Sequence, residues 1–581
     1  MHPDWRSRAV AEAAEALGGE IALFRHRYRL DDPDAWHRDP LRPRPWPRRP
    51  HALIRLSDPR RPGDVRMQWE AARFHHGLLL ARAYLATDET AYVQAFLDQV
   101  DAFARGNPPF RSIHWSVGME VGIRAASWVQ TLDLMRGSTP LTRDRCESLI
   151  DLLLLHGHFL ETHLERHADG FTTNHTVADH AGLAVLGRFF AGSALGDDWR
   201  SRATDGLEEC LGDQVLAGGA HAEGSLPYER FVLEACLVAA RCLPADQARR
   251  LREPLIRLAG HLSYATLPSG MPFLGDGDES FFPPFGFAPY AMRNPLDSEP
   301  VRQVAAEQLD QPVLRGRPAT EEVAFWQGVP AEDRPPSPGP RAPVAHGRGG
   351  IRFGAGPFSG WLTQRIEGEG WLPTHGHNDL LSITLDLHNL PLLIDPGTGG
   401  YGCDPALRRR LRSTAAHSTV QVEDLEQASI PPRALFEGPA APPGELAEAA
   451  GSVCARFDGF GGGVGHERRV RWEDARIEIE DHLFRVTEEG ATGVAVVTTI
   501  RYRVAPGLMV KVEEGLALIS MGEGTVRIGL REPSATGWRT ARAEASRRYG
   551  EVEEALVLEA RQHGPLPHRW VTTIDLAPRG T

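Results

Sequence analysis

The sequence has little cysteine, almost no lysine and no long apolar run, and each shortage excludes a class of protein. Its six cysteines among 581 residues form no CxxC pair and no regular spacing, so neither a disulfide framework nor a thiolate metal site is indicated. No run of about 18 apolar residues occurs, so no membrane-spanning helix and no membrane partner are predicted. The opening MHPDWRSRAVAEAAEAL lacks the apolar stretch of a signal peptide. We therefore expect a cytoplasmic protein, or one exported by a route or segment not visible in these residues.

The charge of the chain is acidic overall. Lys and Arg total 64, nearly all of them arginine, against 77 Asp and Glu, which gives a formal net charge of −13. An acidic chain argues against nucleic acid as a partner. Arginine suits paired contacts to carboxylate or sulfate groups, although its excess can equally reflect the base composition of the genome.

The first half of the chain has the pattern of a helical domain. From about residue 66 to 325, beginning with MQWEAARFHHGLLLARAYLA, apolar residues recur at three- and four-residue spacing. Consecutive helices with short connections and no strands between them predict helical hairpins, stacked in an array or a closed toroid. The residues before about 60, rich in Pro and Arg, are predicted to be irregular. After the first, the predicted helices cover 89–105, 117–136, 142–166, 175–191, 198–216, 228–243 and 246–266.

The second half has the two-residue period of strands. It follows GVPAEDRPPSPGPRAPVAHGRGG, a proline-rich stretch without periodicity that is typical of a linker. Segments such as LLSITLDLHNLPLLID, ARIEIEDHLFRV and GVAVVTTIRYRV alternate as in an antiparallel sandwich. We therefore predict an α+β multidomain fold, with a helical domain at 1–327, a linker at 328–350 and a β-sandwich at 351–581.

Two stretches of the helical half concentrate polar residues. In DGFTTNHTVADHAGL, Asn174 and His175 begin an apolar helix. A structural role, as an N-cap asparagine beside a stabilising histidine, explains them as well as a functional role does. In GGAHAEGSLPYERFVLE, Glu223 and Tyr228 lie near a helix entry. Considered alone, Tyr228 is best explained as a residue whose ring is packed and whose hydroxyl is in contact with solvent.

A third polar stretch lies in the strand-rich half, THGHNDLLSITLDLHNLPLLIDPGTGG with its continuation RSTAAHSTVQV. His375 and His377 are two residues apart, so in an extended backbone they face the same way. Imidazoles with a carboxylate match the ligand set of a zinc-type site, and His377, Asp395 and His417 are the natural trio. A satisfied structural pair and a catalytic cluster are the alternatives.

Taken together, these stretches resemble the heparinase II/III-like polysaccharide lyases, a superfamily that includes alginate, heparan sulfate and broader glycosaminoglycan lyases. The resemblance covers most of the chain. It implies an N-terminal (α/α) toroid followed by an antiparallel β-sandwich, and an enzyme that cleaves an anionic uronate polysaccharide by β-elimination. Five motifs carry it in order: IHWSVGMEVGIRAASWVQTLDLM, TTNHTVADHAGL, AEGSLPYERFVLE, HGHNDLLSITLDLHNLPLLIDPGT and RSTAAHSTVQV.

The resemblance also implies catalytic roles for particular residues. Asn174 and His375 would bind the uronate carboxylate. Tyr228 would be the catalytic tyrosine, and His175 would be a second proton acceptor. Ala178 stands where some heparin-acting members carry a glutamate.

Further residues are implied as metal ligands or as substrate contacts. One divalent metal ion, zinc or manganese, would bind in a structural role. Packing explains the tryptophan and both arginines among the candidate substrate contacts equally well. The implied metal ligands are His377, Asp395 and His417, and the candidate substrate contacts are Trp115, Arg124, Glu223, Tyr401 and Arg412.

Two functions from other classes remain open at this point. A metal-dependent glycan hydrolase would use the histidine and aspartate cluster to activate water. A non-catalytic carbohydrate-binding protein would keep a groove without needing Tyr228. The sequence does not indicate an oligomeric state.

Overall fold

The chain forms two compact units in its computed structural model. Unit 1 comprises Met1–Val215, Tyr228–Ala259 and Ser280–Pro340, and unit 2 comprises Leu216–Pro227, Gly260–Glu279 and Arg341–Thr581. Two segments that precede the predicted linker therefore belong to unit 2 with the sandwich strands, whereas the sequence predicted a single boundary at residue 327. Residues 328–348 of that linker lie outside the described residues. The structure describes 4–39, 45–56, 63–167, 169–283, 289–290, 293–316, 349–365, 370–372, 374–402, 404–430, 444–460, 463–486, 495–522, 524–531 and 536–577.

The described residues up to 308 are mainly helical, as predicted. None of these helices is long and apolar enough to span a membrane. They are α1 (Trp5–Leu17), α2 (Val65–Ala72), α3 (His75–Thr87), α4 (Ala91–Gly106), α5 (Gly118–Leu134), α6 (Arg143–Thr162), α7 (Asn174–Phe189), α8 (Ala194–Gln214), α9 (Leu226–Cys242), α10 (Ala245–Ala265) and α11 (Glu299–Gln308).

Inner and outer helices alternate in unit 1. Helices α3, α5 and α7 contact one another in turn and are buried along most of their length. Each is followed by an outer helix, α4, α6 or α8, that packs on it and keeps an exposed face. A Cβ on Gly182 would lie 2.4 Å from the Cα of Gly122, so glycine lets α5 and α7 pack backbone to backbone. This alternation of hairpins is the helical arrangement of an (α/α) toroid.

Two local predictions in unit 1 were wrong. The helix predicted from residue 66 is broken, because Phe74 adopts a φ of +58° between α2 and α3, a conformation that a right-handed helix cannot contain. The first 60 residues are not all irregular. They include α1, whose buried Ala9, Ala13 and Ala16 follow helical spacing, and a hairpin of β1 (Glu20–Leu23) and β2 (His26–Arg29).

Unit 2 contains two eight-stranded sheets, in agreement with the predicted sandwich. One has the order β16-β17-β12-β6-β5-β4-β3, with β7 also paired to β12, and the other has the order β13-β14-β15-β18-β11-β10-β9-β8. Neighbouring strands pair antiparallel. The strands are β3 (Gly350–Ala355), β4 (Phe358–Thr363), β5 (Ile383–Leu387), β6 (Leu390–Leu393), β7 (Val420–Val422), β8 (Glu445–Ala449), β9 (Ser452–Phe460), β10 (Val464–Glu473), β11 (Arg476–Arg485), β12 (Ala495–Val504), β13 (Met509–Glu513), β14 (Leu516–Met521), β15 (Gly524–Leu530), β16 (Arg539–Arg548), β17 (Glu551–Pro565) and β18 (His568–Leu576).

One hydrophobic core joins the inner faces of the two sheets. Strand β11 shows the alternation, because Ile477, Ile479 and Leu483 are buried in that core while Glu478 and Glu480 are partly exposed. Strand β5 instead is buried at every residue. Its Asp386 accepts hydrogen bonds from the backbone N–H and the hydroxyl of Ser269, at 2.8 and 2.9 Å. The segment Gly260–Glu279 thus covers the outer side of the sheet, which explains why it groups with unit 2.

Candidate active site and metal centre

Three loops of unit 2 bring the predicted metal ligands together. His377 precedes β5, Asp395 follows β6 and His417 precedes β7. One ligand atom of each residue lies within 4.8 Å of the other two, and all three residues are buried. The trio chosen on residue type is therefore a cluster with the dimensions of a metal site.

The second nitrogen of each histidine has a protein partner that fixes the ring. His377 Nε2 lies 3.1 Å from Asp276 Oδ1, and His417 Nδ1 lies 2.8 Å from the carbonyl oxygen of Ser413. The opposite atoms, His377 Nδ1 and His417 Nε2, are buried and make no hydrogen bond among the described residues. His417 Nε2 is 3.4 Å from Asp395 Oδ2. Each ligand thus directs one available donor atom into the cluster, as metal-binding histidines with such outer partners do.

The electrostatics of the cluster also fit a bound cation. Burial lowers the pKa of His417 to about 3, so the imidazole is neutral, the form that coordinates a metal. Burial raises the pKa of Asp395 well above its ordinary value, because an ionised carboxylate is costly in an apolar setting. A divalent cation at this position would compensate the negative charge of that carboxylate. Two imidazoles and one carboxylate suit zinc best among common metals.

Asp276 connects this cluster to His375, and the sequence analysis missed it. Its Oδ1 faces His377 Nε2, and its Oδ2 lies 3.3 Å from His375 Nδ1. Arg408, in the helix α12 (Pro405–Leu411), donates to both oxygens at 3.0 and 2.8 Å. Burial alone would raise the pKa of Asp276, but Arg408 and Arg412 hold it well below its ordinary value. The one available signal was LGDGDES, a polar Gly-Asp stretch that interrupts the helical pattern.

Other predicted site residues of unit 2 surround His375. Its Nε2 lies 3.3 Å from Glu223 Oε2, and its backbone N–H donates to the Glu223 carbonyl at 3.2 Å. The ring centre of Tyr401 is 6.5 Å from that of His375, and the Arg408 guanidinium stacks over Tyr401 at 4.4 Å. Arg412 reaches Asp276 at 4.0 Å. The predicted residues His375, Glu223, Tyr401 and Arg412 therefore form one polar group.

In unit 1, Asn174 and His175 occupy the first turn of α7. The cap of this helix is Thr173, which forms a capping box with Thr176. Asn174 is therefore not the N-cap residue, and the explanation that made it a structural cap does not apply. It is buried, whereas His175 is partly exposed. Tyr228 lies in the first turn of α9 and is 3% exposed.

Trp115 and Arg124 are both buried in unit 1. Arg124 Nε donates to His156 Nε2 at 2.9 Å, and the guanidinium lies 5.4 Å from the centre of the Trp115 ring. Burial lowers the pKa of Arg124 to about 9. Trp115 Nε1 donates to the carbonyl of Asn107 at 3.3 Å. Packing accounts for both side chains in this structure, and their predicted substrate contacts stay predictions.

Comparison with known families covers both units. The family model "Heparinase II/III N-terminus" matches residues 15–251, and "Heparinase II/III-like, C-terminal" matches residues 367–573. No curated protein matches the sequence closely enough to be reported. The two family models contain all twelve predicted site residues.

Solved structures of polysaccharide lyases share the fold at low sequence identity. A crystal structure of heparinase III is 14% identical, with 98% of this chain and 85% of that chain covered and a TM-score of 0.68. The heparan sulfate lyase HepC from Pedobacter heparinus is 14% identical, with coverage of 99% and 83% and a TM-score of 0.57. The chondroitin AC lyase of Streptomyces coelicolor A3, in complex with chondroitin sulphate, is 12% identical, with coverage of 100% and 80% and a TM-score of 0.53. The chain has the toroid-plus-sandwich fold of these lyases and matches both family models in order, and it therefore belongs to the heparinase II/III-like polysaccharide lyase superfamily.

Proposed function

We propose that this lyase cleaves uronate-containing polysaccharides by β-elimination and leaves an unsaturated uronate at the new end. The substrate class is a glycosaminoglycan, such as hyaluronan, chondroitin or heparan sulfate, or alginate. The observation that carries the proposal is the shared carboxylate of Asp276, which holds the predicted substrate-binding His375 and the predicted metal ligand His377 in one buried group. This group fixes the imidazole that the proposal assigns to the anionic sugar.

The first demand of the reaction is to neutralise the uronate carboxylate. The proton on carbon 5 is a very weak acid while the adjacent carboxylate keeps its full charge. Hydrogen-bond donors placed on that carboxylate stabilise the enolate-like charge that develops, and one such donor is typically worth about 3 kcal/mol. Asn174 and His375 have this role in the proposal.

The second demand is a base for the carbon 5 proton and an acid for the leaving oxygen. Each proton transfer contributes roughly 10²–10⁴-fold. Tyr228 can serve as both when the two groups leave from the same face. For the other uronate epimer the proton lies on the opposite face, and His175 is the base in the proposal. Tyr401, grouped with His375 and Arg408, is a second candidate acid.

The metal centre has a structural role in the proposal. His377, Asp395 and His417 would hold one divalent ion, zinc or manganese, and the ion would tie the loops that carry them. His377 is held by Asp276, and Asp276 also orients His375. In the proposal, Asp276 therefore links the orientation of His377 in the metal centre to that of the substrate-binding His375. The ion has no role in proton transfer.

One experiment separates the lyase from the two other functions. The protein is incubated with hyaluronan, chondroitin sulfate, heparan sulfate and alginate, and with a neutral glucan as the control. We expect ultraviolet absorbance of unsaturated uronate from at least one uronate polymer and none from the glucan. New reducing ends without absorbance would indicate a hydrolase. Binding without either product would indicate a carbohydrate-binding protein.

A further inference from the structure

Glu165, in the segment between α6 and α7, is fixed through both its backbone and its side chain. Its backbone N–H donates to Asp179 Oδ2 at 2.8 Å, and its carbonyl accepts from the Thr176 hydroxyl. Its carboxylate Oε2 accepts from the N–H of Met119 at 2.9 Å, and its Oε1 lies 3.2 Å from His175 Nδ1. Three contacts besides the one to the imidazole therefore fix the position of the carboxylate.

This geometry selects one tautomer of the neutral His175 ring. An ionised carboxylate only accepts hydrogen bonds, so the proton of the neutral imidazole must be on Nδ1. The lone pair is then on Nε2, the nitrogen that can take a proton. Side-chain exposures of 19% for His175 and 27% for Glu165 show that the pair is largely shielded from water. A carboxylate that orients a basic imidazole in this way is a recurrent catalytic arrangement.

The carboxylate that α7 carries one turn after His175, that of Asp179, accepts from the backbone N–H of Glu165. Position 178, three residues after His175, is alanine, and residues three apart on a helix are neighbours. Glu165 supplies a carboxylate instead from ten residues upstream.

We propose that Glu165 is a positioning residue that makes His175 the base for one uronate epimer, an inference that rests on the proposed function. The C5–H bond breaks and its proton goes to His175 Nε2. The electron pair forms the double bond between carbons 4 and 5, and the C4–O bond breaks. The leaving oxygen takes a proton from Tyr228, and Glu165 stays ionised throughout. The imidazolium then gives its proton to water and the Tyr228 phenolate takes one from water, so both residues return to their starting states.

A purely structural role for Glu165 would be to cap α5 through Met119. Glu165→Gln separates the two roles, because the amide oxygen can still accept from the Met119 N–H. The amide NH₂ then faces His175 Nδ1 and favours the opposite tautomer, which removes the lone pair from Nε2. A matched control is Glu161→Gln, since Glu161 Oε2 lies 3.4 Å from Nδ1 of His158 in the same unit.

The kinetic test compares polymers rich in glucuronate with polymers rich in iduronate. His175→Ala first identifies the polymer whose cleavage depends on His175. On that polymer we expect Glu165→Gln to lower kcat by about 10²–10⁴ with KM nearly unchanged, and to spare the other polymer. Glu161→Gln should be indistinguishable from the wild type. The double variant Glu165→Gln/His175→Ala should be no slower than His175→Ala, and an additional loss would overturn the proposal.

A second measurement does not depend on activity. Diethyl pyrocarbonate acylates the imidazole nitrogen that carries the lone pair, and peptide mass spectrometry gives the rate at His175. We expect slower acylation in Glu165→Gln and an unchanged rate in Glu161→Gln, whereas equal rates in all three proteins would overturn the positioning role. If no polymer yields unsaturated uronate, the proposed function fails while the acylation result still decides the tautomer claim. If the wild type is active and His175→Ala slows no polymer, the lyase stands and the inference about His175 is overturned.

Discussion

Asp276 Oδ1 lies 3.1 Å from His377 Nε2, a contact between residues 101 positions apart that fixes the ring of a predicted metal ligand. The same carboxylate also faces His375 Nδ1 at 3.3 Å. The consequences of this contact can be measured.

Asp276→Asn should weaken metal binding by about 10–100-fold, the usual effect of removing the outer partner of a ligating histidine. The variant should also be less stable by about 3–5 kcal/mol, because Arg408 would lose a buried counter-charge. Zinc titration against a chelator measures the affinity. Asp386→Asn is the control, since Asp386 is a buried carboxylate of unit 2 whose hydrogen bonds go to Ser269. Equal zinc affinity in the two variants would contradict the role of Asp276.

His417→Ala should abolish stoichiometric metal binding. Loss of one of three ligands removes most of the binding free energy, and the melting temperature should fall because bound metal contributes to folding. Elemental analysis after dialysis checks the metal content, and chelator treatment of the wild type should reproduce the lower melting temperature. His388→Ala, at an exposed turn residue, should retain the metal. One full equivalent in His417→Ala would reject the trio.

Tyr228→Phe should lower turnover by at least about 10²–10⁴ with little change in melting temperature or in substrate binding. The substitution keeps the ring and removes only the hydroxyl. Tyr92→Phe, at a buried tyrosine of α4, controls for loss of a buried hydroxyl in the same unit. A folded Tyr228→Phe enzyme that forms unsaturated uronate at the wild-type rate would end the assignment of this tyrosine.

Glu234 should make the stability of unit 1 fall as the pH rises. Burial raises the pKa of Glu234 from 4.5 to about 7, although Arg230 lies 2.7 Å away. Between these values the folded state binds more protons than the unfolded state, so the contribution is complete below pH 4.5 and is lost as the pH rises through 7. The shift corresponds to roughly 3 kcal/mol in all. Urea unfolding at pH 5 and pH 8 should show this loss in the wild type relative to Glu234→Gln, and parallel pH profiles would contradict it.

Periodicity predicted the fold well where a segment's structure follows from its own residues. Helices α4 to α10 and strands such as β11 and β12 formed as predicted, because one buried face is enough to specify them. The break at Phe74 could not be predicted in this way. Its ring packs against Trp36, Phe103 and Trp128, all of which are far from Phe74 in sequence. This packing outweighs local helix propensity.

The candidate site shows the same limit. Residue type and order predicted the trio of His377, Asp395 and His417, and the structure brings these residues together. Asp276 and Glu165 were missed because each acts on a histidine from another segment of chain. Sequence spacing carries no information about such contacts.

The return of Gly260–Glu279 to unit 2 also sets an order of events during synthesis. This segment, which carries Asp276, leaves the ribosome before any strand from β3 onward exists. About a hundred further residues must therefore be synthesised before His375 and His377 can contact this carboxylate. The sheet that contains β5 then forms against a segment that has already been made. A fragment that starts at β3 would lack both Asp276 and the cover of β5. Neither half of this lyase can be obtained intact by a single cut in the chain.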